Sequence, residues 1–82
     1  MITVRLKLYS GLDKELDLAD YDRAQGLFLS IPSGKRLKWA LRLIGMKELS
    51  SCSFFRSGER ITPGSRLDDG DEISCLKPSG GG

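Results

Sequence analysis

The residues of this chain with the clearest potential for chemistry are its last three, Gly80-Gly81-Gly82. Glycine has no side chain to pack and loses the most backbone freedom when it is ordered, so folding alone does not require a run of it. The run is a frayed end, a cloning remnant or a working part. As a working part it would offer one reactive group, the α-carboxylate of Gly82, which is ionised at neutral pH because its ordinary pKa is about 3.5.

Composition restricts what the rest of the chain can contribute. With 82 residues there is room for one domain, and 39% apolar and 29% charged residues are ordinary for a globular protein. The chain has no His and two Cys, which excludes a four-ligand Cys/His zinc site and any triad that needs an imidazole base. We therefore expect a protein that is not an enzyme on its own and that binds no metal or cofactor.

The same composition predicts the cellular setting. Small domains that depend on disulfides usually carry four or more cysteines, so Cys52 and Cys75 are expected to be free, buried thiols. No stretch approaches the ~20 apolar residues that cross a bilayer, and residues 1–9 lack the apolar region of a signal peptide. We expect a cytoplasmic protein with no membrane partner. The net charge of +2 is too small to indicate a nucleic-acid partner.

Hydrophobic periodicity predicts up to five strands. Residues 2–9 alternate between apolar and polar, as a strand with one buried face does, and a second apolar run covers 27–31. Shorter strands are expected at 52–56, 59–61 and 72–76, each bounded by Gly, Pro, Ser or Asp turns.

One main helix is expected between the second and third strands. Apolar residues recur at i, i+4 and i+7 within 35–46, with Ser33 as the predicted N-cap and Gly45 at the C-terminal end. Residues 12–26 form a long, acidic, partly ordered connection. Two strands, a helix and two or three further strands suit an α+β fold, a mixed sheet of four or five strands with the helix across one face. This order resembles the β-grasp arrangement of ubiquitin-like proteins, in which the first and last strands lie parallel at the centre.

The C-terminal part resembles the signature of the bacterial sulphur carriers, which are the small subunit of molybdopterin synthase and the thiamine-thiazole sulphur carrier. The resemblance rests on the run Leu67-Asp68-Asp69-Gly70-Asp71-Glu72-Ile73, then Pro78, then Gly81-Gly82 at the chain end. A Gly-Asp-Glu turn alone is a weak signal, but that turn about ten residues before Gly-Gly, after a matching element order, is a stronger one. The chain length favours the molybdopterin-synthase type. The long 12–26 link and the additional Gly80 depart from the pattern.

The resemblance implies a sulphur carrier in which a β-grasp domain, residues 1–77, presents a flexible tail, residues 78–82. An adenylyltransferase of the ubiquitin-activating type would adenylate Gly82 with ATP, and a sulphur donor would convert it into a thiocarboxylate. A synthase large subunit would then receive the sulphur, for molybdopterin first and thiamine thiazole second. At about 3.3 Å per residue the five tail residues reach roughly 16 Å, and glycines suit a narrow channel.

Contacts with these partners are expected in the tail and at two other places. In the tail the candidates are Pro78, Gly80 and Gly81. Phe54 and Phe55 are also candidates, and because adjacent strand residues point to opposite faces, one of the two is expected in the core. An acidic cluster beside the tail is a candidate for steering a basic partner surface, and it consists of Asp68, Asp69, Asp71 and Glu72.

Two other functions are open at this point. A ubiquitin-like interaction module, or a modifier joined to lysines, would use the same fold without sulphur transfer. Nucleic-acid binding would use the basic side of the helix, which carries Lys35, Arg36, Lys38 and Arg42, but a charged outer side is typical of any surface helix. We therefore expect no nucleic-acid partner, and we expect Trp39 to pack at the helix edge.

Overall fold

The computed structural model describes most of the chain, namely residues 1–9, 11–16, 18, 21–22 and 24–77. The tail at 78–82 lies outside the described residues. The predicted roles of Pro78, Gly80, Gly81 and Gly82 therefore stay predictions.

Five strands form one mixed sheet. They are β1 (Ile2–Leu8), β2 (Leu27–Ile31), β3 (Ser53–Arg56), β4 (Glu59–Ile61) and β5 (Glu72–Leu76). The spatial order is β2-β1-β5-β3-β4, in which β1 and β5 are parallel and every other neighbouring pair is antiparallel. The predicted placement of the first and last strands, side by side and parallel at the centre, is confirmed.

Within the residues that the structure describes, three short helical segments accompany the sheet. A four-residue helix, α1 (Leu12–Glu15), lies within the connection predicted as partly ordered, and the main helix is α2 (Leu37–Leu43). A 3-10 helix at Leu49–Ser51 precedes β3 and was not predicted. No helix in the described ranges is long and apolar enough to cross a membrane.

The start predicted for the main helix is wrong by two residues. Arg36 is extended (φ −91°, ψ 159°), and the chain on both sides of it pairs with the segment before β5. The amide of Leu37 donates to the carbonyl of Ser65 at 2.8 Å, and the amide of Leu67 donates to the carbonyl of Lys35 at 3.0 Å. These bonds hold the chain extended, so the N-cap is Arg36 rather than Ser33.

The C-terminal end of α2 lies close to the expected position. Gly45 has φ +90°, its amide donates to the carbonyl of Arg42 at 3.1 Å, and the amide of Met46 donates to the carbonyl of Leu41 at 3.0 Å. This pair of bonds is the Schellman motif, which satisfies the last carbonyls of a helix and favours glycine at the left-handed position.

The core lies between one face of the sheet and α2. Alternate residues of β1, namely Val4, Leu6 and Leu8, are buried as the period of two requires. The other buried side chains come from nearly every element: Leu12, Ile31, Leu37, Ala40, Leu41, Met46, Phe54, Leu67, Ile73 and Cys75. Full burial of an aliphatic or aromatic side chain contributes about 1.5–3 kcal/mol, so this layer is the main source of stability.

The connection between β1 and β2 supports the end of β1. The ladder between these strands ends at the pair of Leu6 with Leu27. Two residues further along β1, the hydroxyl of Tyr21 accepts a hydrogen bond from the Leu8 amide at 2.7 Å. Gly26 then brings the chain back so closely (φ +85°) that a Cβ there would lie 2.8 Å from the carbonyl oxygen of Leu6. The connection therefore supplies, on the β2 side of Leu8, the hydrogen bond that β2 itself does not reach to make.

Candidate functional site

The end of β5 positions the start of the tail. β5 lies between β1 and β3, with Cys75 opposite Leu8 on one side and Leu76 opposite Ser53 on the other. The amide of Tyr9 donates to the carbonyl of Cys75 at 2.9 Å, which extends the parallel pairing by one more bond. The tail therefore starts from the central strand of the sheet, immediately after Lys77.

An open cleft of about 550 Å³ lies at this tail root. The Lys77 ammonium pairs across it with the Glu15 carboxylate at 2.7 Å, and this hydrogen bond, together with the negative charge, raises the pKa of Lys77. The remaining lining residues come from α1, from the end of α2 and from the 3-10 segment: Leu12, Gly45, Met46, Lys47, Glu48, Ser51 and Cys52. The cleft is thus bordered by charges of both signs and by one thiol.

The two thiols are free, as predicted, but differ in burial. Cys75 is fully buried, and burial raises the pKa of its thiol from 9.0 to about 12, with a smaller contribution from the neighbouring Cys52. A thiol with that pKa is not a nucleophile at neutral pH, because the reactive species is the thiolate. Cys52 is only half-buried and lines the tail-root cleft, which corrects its predicted burial. The pairing of Ser53 with Leu76, which brings Cys52 to this position, could not be read from the sequence.

The acidic cluster does not lie beside the tail root. Asp68, Asp69 and Asp71 precede β5 and Glu72 is its first residue, whereas the tail begins after its last residue. A five-residue strand is about 16 Å long, so the two sites are at opposite ends of β5. Proximity in sequence was misleading because an extended strand separates its two ends by the largest possible distance.

The carboxylates of the cluster hold the turn before β5 in place. Asp71 accepts a hydrogen bond from the Asp68 amide at 2.9 Å and pairs with the Arg56 guanidinium at 3.0 Å. Asp69 accepts from the Thr3 amide at 2.8 Å. Glu72 pairs with Lys7 across the outer face at 3.1 Å. The carboxylates of Asp69, Asp71 and Glu72 therefore have structural roles in this turn and strand, and steering of a partner stays a prediction.

The two adjacent phenylalanines are separated as their strand requires. Phe54 is 1% exposed and is the one of the two that lies in the core, so Phe55 is left as the candidate partner contact. Phe55 is half-buried and lies opposite Ser74 of β5, on the face of the sheet that α2 does not cover.

Phe28 is a further apolar residue on this outer face and was not predicted as a contact. It lies opposite Arg5 and is 53% exposed, and the Arg5 guanidinium stacks 5.1 Å from the centre of its ring. Its position between the inward-facing Leu27 and Leu29 was the sequence signal for an outward-facing aromatic side chain. The outer face thus presents two aromatic rings among charged side chains.

A metal site is not evident in the part of the chain that the structure describes. There, no three His, Cys, Asp or Glu side chains come together in a group that could hold an ion.

Three solved structures resemble this chain over almost its whole length. SAMP1 from Haloferax volcanii has a TM-score of 0.74 at 18% identity, covering 98% of this chain and 99% of that one. A putative molybdopterin converting factor, subunit 1, from Pyrococcus furiosus gives 0.70 at 15%, and small archaeal modifier protein 1 from H. volcanii gives 0.71 at 14%. Each of these two covers 95% of this chain and 99% of the other. No protein-family model and no curated protein matches the chain.

The sheet and these neighbours together define the fold. A mixed sheet of order β2-β1-β5-β3-β4 with one main helix, which matches these solved structures in fold, is a β-grasp. The resemblance inferred from the C-terminal signature is thus confirmed at the level of fold. The neighbours are small proteins described as a modifier and as a converting-factor subunit.

Proposed function

We propose that this protein is a sulphur carrier whose C-terminal Gly82 is activated by a partner enzyme and converted into a thiocarboxylate. The observation that carries the proposal is the central position of β5 in the β-grasp sheet, since β5 is the strand that the glycine-ending segment follows in the sequence. Fold likeness to a converting-factor subunit adds support.

The proposed chemistry has three steps, and this chain contributes one carboxylate. A Gly82 carboxylate oxygen attacks the α-phosphorus of ATP on an adenylyltransferase, pyrophosphate leaves, and an acyl-adenylate forms. The terminal sulphur of a partner's persulphide then attacks the acyl carbon and displaces AMP, which leaves an acyl disulfide. A second partner thiol cleaves this S–S bond, so the carbonyl-bound sulphur stays on Gly82 as a thiocarboxylate while the two partner sulphurs form a disulfide.

The domain's own contribution is to present this carboxylate. The ladders on both sides of β5 fix where the tail begins, and a span of roughly 16 Å from Pro78 to Gly82 would allow it to reach a buried site. Because glycines carry no side chains, a narrow channel can admit them. Gly80 and Gly81 act here as the part of the tail that enters the partner.

Docking would use the outer face of the sheet. Phe55 and Phe28 expose apolar surface on this face. Leu76, the last residue of β5, lies on the same face next to the start of the tail. Aromatic residues are enriched in protein interfaces because they bury a large area and lose little side-chain entropy. The partners proposed for this face are the adenylyltransferase and then a synthase large subunit.

Intact-mass spectrometry tests the proposal. The purified protein is incubated with a candidate adenylyltransferase, ATP and a persulphide donor, and its mass should rise by the difference between sulphur and oxygen. Deleting two of the three terminal glycines should abolish the gain and ATP–pyrophosphate exchange. Deleting only one still leaves Gly-Gly at the end, so this matched control should retain both. Absence of the mass gain with every activator tried, or its persistence after the double deletion, would refute the proposal.

A second candidate function is a ubiquitin-like modifier, and likeness to a protein described as a small archaeal modifier favours it. In that case the activated Gly82 would form an isopeptide bond with a lysine amine and release AMP. Expression of a tagged chain in its own cells distinguishes the two functions. Covalent adducts that disappear after the two-glycine deletion support a modifier, and a thiocarboxylate without adducts supports the carrier.

A further inference from the structure

A second cleft, of about 280 Å³, lies on the helix side of the domain, beside the first turns of α2. We call it the basic cleft, and its side chains are those of Lys35, Arg36, Lys38, Trp39, Arg42 and Arg66. The tail-root cleft is lined instead by Gly45 and Met46, after the other end of α2. The two clefts share no lining residue and are therefore separate surfaces.

The basic cleft is held in shape by its own backbone. The extended segment around Arg36 forms a bridge with Arg66, and each of these arginines reaches across to the other segment. An Nη1 group of Arg36 donates to the carbonyl of Gly64 at 2.7 Å, and that of Arg66 donates to the carbonyl of Gly34 at 3.0 Å. A guanidinium has five N–H donors, so each arginine is fixed in position and still has donors for a ligand.

The cations of the basic cleft have no carboxylate partner within the described part of the chain. The ion pairs among the described residues lie outside the basic cleft. They are Lys7 with Glu72, Arg56 with Asp71 and Lys77 with Glu15. Like charges held close together repel one another, and an anion that binds between them relieves this repulsion. The cleft therefore favours an anionic ligand.

Two observations favour an acidic peptide over a nucleic acid. The Lys35 ammonium already stacks 5.2 Å from the centre of the Trp39 ring, so the aromatic surface on which a base would stack is occupied. The part of the cleft's row of cations that lies on the helix, from Lys38 to Arg42, is also only about 6 Å long at 1.5 Å per residue.

We propose that the basic cleft binds a short Asp/Glu-rich segment of a partner protein. This binding does not depend on the chemistry proposed for Gly82. Because the basic cleft and the tail-root cleft share no lining residue, the domain could hold this partner while its tail is engaged by another.

Trp39 provides a direct probe of the cleft, because it is the only tryptophan of the chain. A ten-residue oligoglutamate peptide is titrated into the full-length protein at low salt, with oligoglutamine and an oligouridylate of the same length in parallel. Oligoglutamate should change the Trp39 emission saturably, and the affinity should fall as salt is added. Oligoglutamine should cause no change. A missing oligoglutamate response, or tighter binding of the oligouridylate, would overturn the proposal.

Charge reversal locates the binding. The side chains of Lys38 and Arg42 are exposed and make no hydrogen bond or ion pair within the described part of the chain, so Lys38→Glu with Arg42→Glu should leave the fold intact. This double variant should bind oligoglutamate at least about tenfold more weakly. The matched control, Lys14→Glu with Lys47→Glu, makes the same change in net charge and should stay within about twofold. An equal loss in both variants would contradict a specific cleft.

The proposal about the cleft and the proposal about the tail can fail independently. A chain that lacks two terminal glycines should bind oligoglutamate as well as the full chain. The variant with Lys38→Glu and Arg42→Glu should still gain sulphur in the intact-mass experiment, unless the activating enzyme itself carries the acidic segment. In that case the variant with Lys38→Glu and Arg42→Glu loses both oligoglutamate binding and the mass gain. The two-glycine deletion loses only the mass gain.

Discussion

The two ends of β5 are held very differently. At its start, the amide of Gly70 donates to the carbonyl of Thr3 and the amide of Arg5 to the carbonyl of Asp71, both at 2.8 Å. The Asp71 carboxylate adds a hydrogen bond and an ion pair with Arg56. At the end of β5, the contacts of the described residues beyond the ladder are a hydrogen bond and an ion pair. The Tyr9 amide donates to the Cys75 carbonyl, and the exposed Lys77 pairs with Glu15.

This difference suggests that the start of β5 stabilises the domain, whereas its end contributes little to stability. The start of β5 ties the turn, β1 and β3 together through half-buried charges, so changes there should affect the whole domain. The end of β5, which under the proposed function would present the tail to a partner, is held mainly by the ladder. Substitutions at the two ends of one strand should therefore have effects of different kinds.

The largest effect is expected at Asp71. Asp71→Ala removes the acceptor for the Asp68 amide and leaves the half-buried Arg56 without its carboxylate, so we expect a loss of about 2 kcal/mol in the free energy of unfolding. Urea denaturation followed by circular dichroism measures it. Asp71→Asn retains an acceptor oxygen and should lose about half as much. A loss below about 0.5 kcal/mol for Asp71→Ala would show that the start of β5 is not the stronger anchor.

Near the end of β5, Cys75 should make stability depend on pH. Its pKa is about 12 in the folded protein against an ordinary 9.0. Between these values the unfolded chain releases the thiol proton and the folded chain keeps it. The free energy of unfolding should therefore fall as pH rises above 9.0, by up to about 1.4 kcal/mol per pH unit.

Cys75→Ala supplies the reference for this pH dependence. The variant loses some packing at every pH but lacks the additional decline, so its urea midpoint should approach that of the unmodified protein as pH rises. Parallel curves for the two proteins would contradict the assignment. Alkylation offers an independent check, because one thiol, Cys52, should react in the native protein and both should react in urea.

The smallest effect is expected for the ion pair at the tail root. Both side chains are exposed, at 41% for Lys77 and 50% for Glu15, and exposed ion pairs contribute little. Lys77→Ala and Glu15→Ala should leave the urea midpoint unchanged within error. A shift comparable to that of Asp71→Asn would mean that the two ends of β5 are equally anchored.

The sequence predicted the parts of this fold that depend on local periodicity. The alternation in β1, the apolar run of β2 and the bounds of β5 were all correct, because a period of two follows directly from strand geometry. The first residue of α2 was wrong because Arg36 is kept extended by its bridge with Arg66, thirty positions away. Contacts of that range leave no local signal.

The candidate sites depend even more on long-range pairing. Periodicity showed that Phe54 and Phe55 face opposite ways but not which of them is buried, since that depends on where α2 packs. Cys52 joins the tail-root cleft only because β3 pairs with β5. Arg66 joins the basic cleft across a bridge, so from sequence the basic side of the helix could not be distinguished from an ordinary solvated surface.

The central position of β5 also has a consequence for how the chain folds. Because β5 joins β1 to β3, the two halves of the sheet stay unconnected until the last strand in the sequence has been synthesised. Pairing β1 with β5 closes a loop of more than sixty residues, and such non-local contacts slow folding. The sheet therefore closes late in biosynthesis, after the segments that form β1 to β4 have already been made.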